Sequence, residues 1–151
     1  MRPLLLSALF VSMLALGACD SDPTEEPPPE EEEELLPVLF EYRVDASLQD
    51  ISDFGIRYTD EAGEDVVVPT SAPFAFPFVH YTDELPLEAR GPYSVRFFGF
   101  VQSGGVTARV RAFRDGLLVG TAQVTSTGDA SGAVDITATL TIGPDGEIIE
   151  D

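Results

Sequence analysis

Few residues in this chain are suited to chemistry. It holds one cysteine, Cys19, and one histidine, His80. Together they fall short of the four ligands a closed zinc site takes. No Gly-x-Ser-x-Gly elbow occurs, and a Ser-His-Asp set would have to use His80, inside the proline-interrupted segment Phe74–Tyr81. Gly104-Gly105 lies between strand-like runs, where no helix N-terminus follows to hold a phosphate. No cofactor motif is present, and none is assigned. Carboxylates are plentiful, so a pair spaced for glycoside cleavage stays open, because space and not sequence sets such a pair. Asp60-Glu61 with Glu64-Asp65, and Asp145 with Glu147, offer calcium oxygens or plain turn chemistry; neither set has EF-hand spacing. Arginine gives the more specific pattern. Arg43, Arg57, Arg96, Arg109 and Arg111 fall on the non-core register of alternating segments, and Phe98 and Phe100 share that register with Arg96. Arg96, Phe98, Phe100, Arg109 and Arg111 therefore form a candidate interaction patch for an acidic partner or a lipid phosphate. The alternative is cross-strand pairing with Glu41, Asp45 or other carboxylates, each pair contributing about 0.2–1 kcal/mol.

The surroundings of Cys19 give its thiol a use. Met1-Arg2 is a short positive start, and Pro3–Leu16 is almost wholly apolar. That run is shorter than the roughly 17–25 residues a membrane span needs and suits the apolar region of a secretory signal. Leu16-Gly17-Ala18-Cys19 closes it, with two small residues ahead of the cysteine. The tetrapeptide resembles the lipobox of bacterial lipoproteins. The resemblance implies that the Cys19 thiol takes a diacylglyceryl group, that cleavage precedes Cys19, and that the new amine is acylated. Each buried methylene contributes roughly 0.8 kcal/mol, and stable anchoring takes more than one chain. An ordinary signal peptide cut elsewhere, leaving a free thiol, is the other reading. With Cys19 acylated, no cysteine is left for a disulfide, and the domain must hold by packing and sheet hydrogen bonds.

Charge narrows the partners. The chain has eight arginines, no lysine and 27 acidic residues, for a formal charge of −19. Nucleic acid is not an expected partner, since phosphate binding needs clustered cations. Anionic head groups are repelled as well, so the acyl anchor would have to hold the protein to the bilayer. A surface this acidic suits a saline habitat, because at 1 M salt the Debye length is about 3 Å and self-repulsion is screened. Stability that did not change between low and molar salt would remove that expectation.

The elements that must position these groups are strands. Residues 1–18 read as the signal peptide, and residues 19–37 as the lipidated cysteine with an acidic linker. Pro27-Pro28-Pro29 and Glu30–Glu34 favour an extended, self-repelling spacer. Val38–Ser47 alternates with period two, as does Phe54–Thr59, and Val66-Val67-Val68 stops at Pro69. Phe74–Tyr81 contains Pro77 and suits an edge or a bend. Tyr93, Val95, Phe97, Gly99 and Val101 form one face of the next run. Ser103-Gly104-Gly105 is expected to close a hairpin into Val106–Arg114, and Asp115-Gly116 another into Leu117–Thr125. Ala133–Ile142 is the last expected strand, and 143–151 an acidic tail. The sum predicts an all-β domain over 38–142, a single antiparallel immunoglobulin-like sandwich of about seven or eight strands. Phe40, Tyr42, Phe54, Ile56, Tyr58, Val95, Phe97 and Val110 are its expected core.

Ile56–Glu64, Val66–Ser71 and Gly91–Ala122 together are similar to the small β-sandwich domain of the MmpS membrane proteins. The likeness runs from about Phe40 to Ala122. It rests on the Tyr58-Thr59-Asp60 turn, Pro69-Thr70-Ser71, and Asp115-Gly116 after the strand beginning at Val106. This chain differs in having a lipobox instead of a transmembrane helix, Thr70 where an aromatic often follows the proline, and no disulfide cysteines. The resemblance implies a periplasmic scaffold beside a lipid exporter. The combined expectation is a non-catalytic binding or scaffolding lipoprotein of the cell envelope, facing the periplasm or the exterior. Its partners would be the bilayer, through Cys19, and an envelope protein or transporter. A carboxylate hydrolase and a purely structural surface module are the alternatives.

Overall fold

The computed structural model describes residues 36–46, 51–70, 74–128 and 130–150. The signal-like segment, Cys19 and most of the acidic linker lie outside the described residues. Nine strands follow in chain order: β1 Val38–Ala46, β2 Ile51–Thr59, β3 Asp65–Val68, β4 Phe78–Tyr81, β5 Gly91–Val101, β6 Val106–Arg114, β7 Leu117–Ser126, β8 Ala133–Ile142 and β9 Ile148–Glu150. Every pairing is antiparallel. One sheet has the order β4-β1-β6-β7 and the other β3-β2-β5-β8-β9. The fold is an all-β sandwich.

Period-two alternation builds each layer. On β1, Val38, Phe40, Tyr42 and Val44 are buried; on β6, Val106, Ala108, Val110 and Ala112; on β5, Tyr93, Val95, Phe97 and Val101. β8 adds Val134, Ile136, Ala138, Leu140 and Ile142. Side chains of opposite sheets meet in ring contacts: Phe40 stacks on Tyr93 at 4.6 Å between centroids, and Tyr42 tilts on Tyr58 at 5.5 Å. Such offset rings add about 0.5–1.5 kcal/mol beyond their buried area. Of the eight expected core residues, Phe54 and Tyr58 are half-buried and pack against the cluster; the other six are buried. Tyr42 carries its hydroxyl into this core with no hydrogen-bond partner among the described residues. Burial, reinforced by Tyr93 and the carboxylates of Glu61 and Asp60, pushes its ionisation far up, so it stays neutral.

Two expectations need correction. Ser103-Gly104-Gly105 does not close a hairpin: β5 pairs with β2 and β8, whereas β6 pairs with β1 and β7. The segment crosses from one sheet to the other. Alternation and a glycine turn specify a reversal, but not which sheet the next strand joins. The second concerns 143–151, expected as a tail: residues 143–150 turn at Gly143–Gly146 and return as β9 along β8. Arg90 donates to the Pro144 carbonyl and Arg114 to that of Gly146, so two cations clamp the turn. Ile148 then packs against the core, over Gly120. With β9 the strands number nine among the described residues, against the expected seven or eight of the sandwich. Pro77 precedes a short edge strand, as a proline-interrupted run should. Asp115 and Gly116 both take positive φ, 48° and 72°, the turn whose twist suits a two-residue hairpin.

Candidate interaction site

Strand register lays the outer face of the first sheet out as a grid. Because Leu39 stands opposite Phe113, and Phe113 opposite Leu118, one row is apolar. The next row runs Tyr81, Glu41, Arg111, Thr121, and the one after it Val79, Arg43, Arg109, Gln123. Glu41 sits at the centre with a side chain only 3% exposed, although it faces outward. Arg111 lies over it. The guanidinium donates to Glu41 Oε1 from Nε at 3.0 Å and from an Nη at 2.6 Å, and to Oε2 at 2.5 Å. Tyr81 Oη donates to Oε2 at 2.8 Å. Burial alone would raise the Glu41 pKa; the bonds from Arg111 and Tyr81, with the charges of Arg111 and Arg109, outweigh it and hold the carboxyl below its ordinary value. Donating to that carboxylate raises the Tyr81 pKa in turn. All the strong acceptor directions of Glu41 are taken. The group is built to be ionised and held, which suits neither a general base nor a nucleophile.

Beside this row the surface opens into a depression of about 600 Å³, walled by Pro37, Leu39 and Phe113 and rimmed by Glu84 and Asp115. Arg111 also lies 5.5 Å from the Phe113 ring centre, so its cation is shared between carboxylate and aromatic face. Further along, Arg43 grips Asp45 with two bonds of 2.7 and 2.8 Å, and Arg109 reaches the same carboxylate at 3.7 Å. These contacts lower the Asp45 pKa, with the Arg43 hydrogen bond the largest cause.

The outer face of the second sheet is built differently. Phe98 lies across Gly55, its cross-strand partner, where a β-carbon would overlap Phe98 Cζ. Only glycine allows the ring to lie flat on the strand. Arg57 and Arg96 flank it, with guanidinium carbons 5.7 and 5.6 Å from the ring centre. Arg96 also forms a two-bond pair with Asp135, at 2.8 and 2.6 Å, which raises the arginine pKa and lowers that of the aspartate. Phe100, one pleat further on, is 48% exposed.

The five patch residues are thus divided. Arg96, Phe98 and Phe100 lie on β5, on the outer face of one sheet; Arg109 and Arg111 lie on β6, on the outer face of the other. Both groups have the carboxylate pairing that the sequence offered as the alternative to a patch. What alternation did not reveal was the depression beside Glu41, because its walls come from β1, β4, β6 and the Asp115-Gly116 turn. The outward apolar residues Leu39 and Phe113 were the signal that could have located it. His80 is a half-buried residue of β4, its ring 4.2 Å from that of Tyr58. At the acidic turns, Asp60 Oδ1 accepts the amides of Ala62 and Glu64, Glu61 accepts that of Asp83, and Glu147 that of Asp145. Their oxygens serve the turns. Among the described residues, no three metal-ligating side chains converge, and no helix is long and apolar enough to cross a membrane.

Comparison of the chain with family models, curated proteins and solved structures finds no match.

Proposed function

We propose that this chain is an exported lipoprotein, anchored to a membrane of the cell envelope through acylated Cys19, whose β-sandwich binds or scaffolds without catalysing a reaction. The observation that carries the reading is the sequence Leu16-Gly17-Ala18-Cys19 at the end of the Pro3–Leu16 apolar run. The likeness to the MmpS β-sandwich domain supports a role beside a transporter or envelope assembly. The character of the outer faces supports the non-catalytic part. Glu41, the one buried carboxylate among the described residues, is saturated by Arg111 and Tyr81. The apolar row Leu39, Phe113 and Leu118, next to the depression rimmed by Glu84 and Asp115, is the contact surface proposed for an envelope partner. Apolar contact with a carboxylate rim suits a partner segment carrying both apolar and basic side chains.

Feeding cells labelled palmitate tests the anchor. The wild-type chain should carry label and partition into the detergent phase, and Cys19→Ala should do neither. Label retained in Cys19→Ala, or an unlabelled wild type, contradicts the reading. Crosslinking in membranes from Leu39, Phe113 or Leu118 tests the contact surface.

A further inference from the structure

Among the described residues the sandwich has four edge strands. Three of them, β3, β4 and β9, are only three or four residues long, which is one of the ways proteins blunt a sheet edge. The fourth, β7, runs for ten residues, Leu-Leu-Val-Gly-Thr-Ala-Gln-Val-Thr-Ser. It has no charged residue and no proline, in a chain of net charge −19. Its first half is guarded: the Thr121 amide points away from β6 and is capped by Glu150 Oε1 at 2.8 Å, and Ile148 sits over Gly120. Its second half is open. Gln123, Val124 and Thr125 are all exposed, whereas the facing residues Thr107–Arg109 of β6 are half-buried or buried.

Parity gives the geometry. Backbone groups alternate along a strand, so Gln123 and Thr125, two and four residues beyond Thr121, also turn their amides and carbonyls outward. Val124 turns its own toward β6. The Thr107 and Thr125 hydroxyls meet at 2.9 Å, the close approach expected at a pair that does not exchange backbone hydrogen bonds. An antiparallel strand laid along this edge about a two-fold axis through Val124 would put Gln123 opposite Thr125 of the second strand, and the reverse. Each pair exchanges two backbone bonds, four in all, and none needs the amide that Glu150 holds. The two Val124 side chains meet on the axis.

We propose that the second half of β7 is a homotypic edge, at which two copies of this chain join their four-stranded sheets through residues Ala122–Ser126. Charge decides for a second copy. Two copies of a chain of this net charge repel each other, and the open stretch of β7 brings only uncharged side chains face to face. A two-fold contact is self-complementary, so one uncharged strand supplies both sides. The contact is small for a stable dimer in solution, and confining both copies to one plane would raise their effective concentration. Strand pairing itself does not rest on the lipid anchor.

The test is disulfide trapping in the full chain, in its own membranes or in detergent. At a non-hydrogen-bonded antiparallel pair the Cα atoms lie about 4.5 Å apart, within disulfide range. Val124→Cys should give a covalent dimer about tenfold faster than Val67→Cys, an exposed residue on the edge strand β3, with the parent chain as baseline. Thr125→Pro added to Val124→Cys should return the rate to that of Val67→Cys; the proline removes an outward amide that β6 does not use. Raising salt from 0.1 to 1 M shortens the Debye length from about 10 to about 3 Å and should speed trapping. Equal rates at positions 124 and 67 would overturn the proposal. So would trapping that slows with salt, since two like-charged copies should meet more readily when their repulsion is screened.

Discussion

The two outer faces of the sandwich use the same components, arginine, carboxylate and aromatic ring, to different effect. On the first sheet, Glu41 stands directly opposite Arg111 in register and beside Tyr81, so the ion pair closes over a buried carboxylate. On the second, Arg96 reaches Asp135 diagonally, since Asp135 stands opposite Phe98, and both partners remain about half exposed. The difference lies in solvation. Water screens the second pair almost fully, whereas the first has replaced hydration with fixed donors and depends on each of them.

That contrast can be broken by removing cations. Arg111→Met leaves Glu41 buried with Tyr81 as its only remaining side-chain donor among the described residues, and should lower unfolding free energy by about 3 kcal/mol in urea. Acid should act on the same cluster. The folded pKa of Glu41 lies below its ordinary value, so its contribution is complete above the unfolded carboxylate range, about pH 4–5, and is lost as pH falls through the folded value. Stability of the wild type should therefore fall steeply below about pH 4, and Glu41→Gln should flatten that fall. An unchanged acid limb in Glu41→Gln would shift the effect to Asp45 and Asp135, whose pKa values are also lowered.

The second face responds to shape more than to charge. Gly55→Ala forces the Phe98 ring off its strand and should cost about 1–2 kcal/mol. In a Phe98→Ala background the same change should cost far less, and the double-mutant cycle measures that coupling. Full additivity would mean that the ring does not hold Gly55. Asp135→Asn should have the smallest effect, within about 0.5 kcal/mol and weaker still at high salt. A loss comparable to that of Arg111→Met would erase the distinction between the faces.

Much of this fold was legible because alternation is a local signal. Val38–Val44 and Tyr93–Val101 declare which side chains go inward before any partner is known. The non-core register of these runs, of Phe54–Thr59 and of Val106–Arg114 put Arg43, Arg57, Arg96, Arg109 and Arg111 on outer faces, and the named carboxylates Glu41 and Asp45 pair with Arg111, Arg43 and Arg109. Which arginine meets which acid was not legible, since it depends on strand register across seventy residues between Glu41 and Arg111. The crossover at Ser103-Gly104-Gly105 was hidden for the same reason. β9 was missed because three residues are too short for a period, and because the clamp on its turn comes from Arg90 and Arg114, far away in sequence. The open half of β7 is visible only once its neighbours are known. The same ten residues in a central strand would be unremarkable.

The proposed lipid anchor at Cys19 belongs to neither face. Mass spectrometry of the N-terminal peptide from the membrane-extracted protein tests it most directly. The expected peptide begins at Cys19 and carries diacylglyceryl on sulfur, with a further acyl group on its amine. A peptide that begins elsewhere, or a Cys19 with a free thiol, would contradict it.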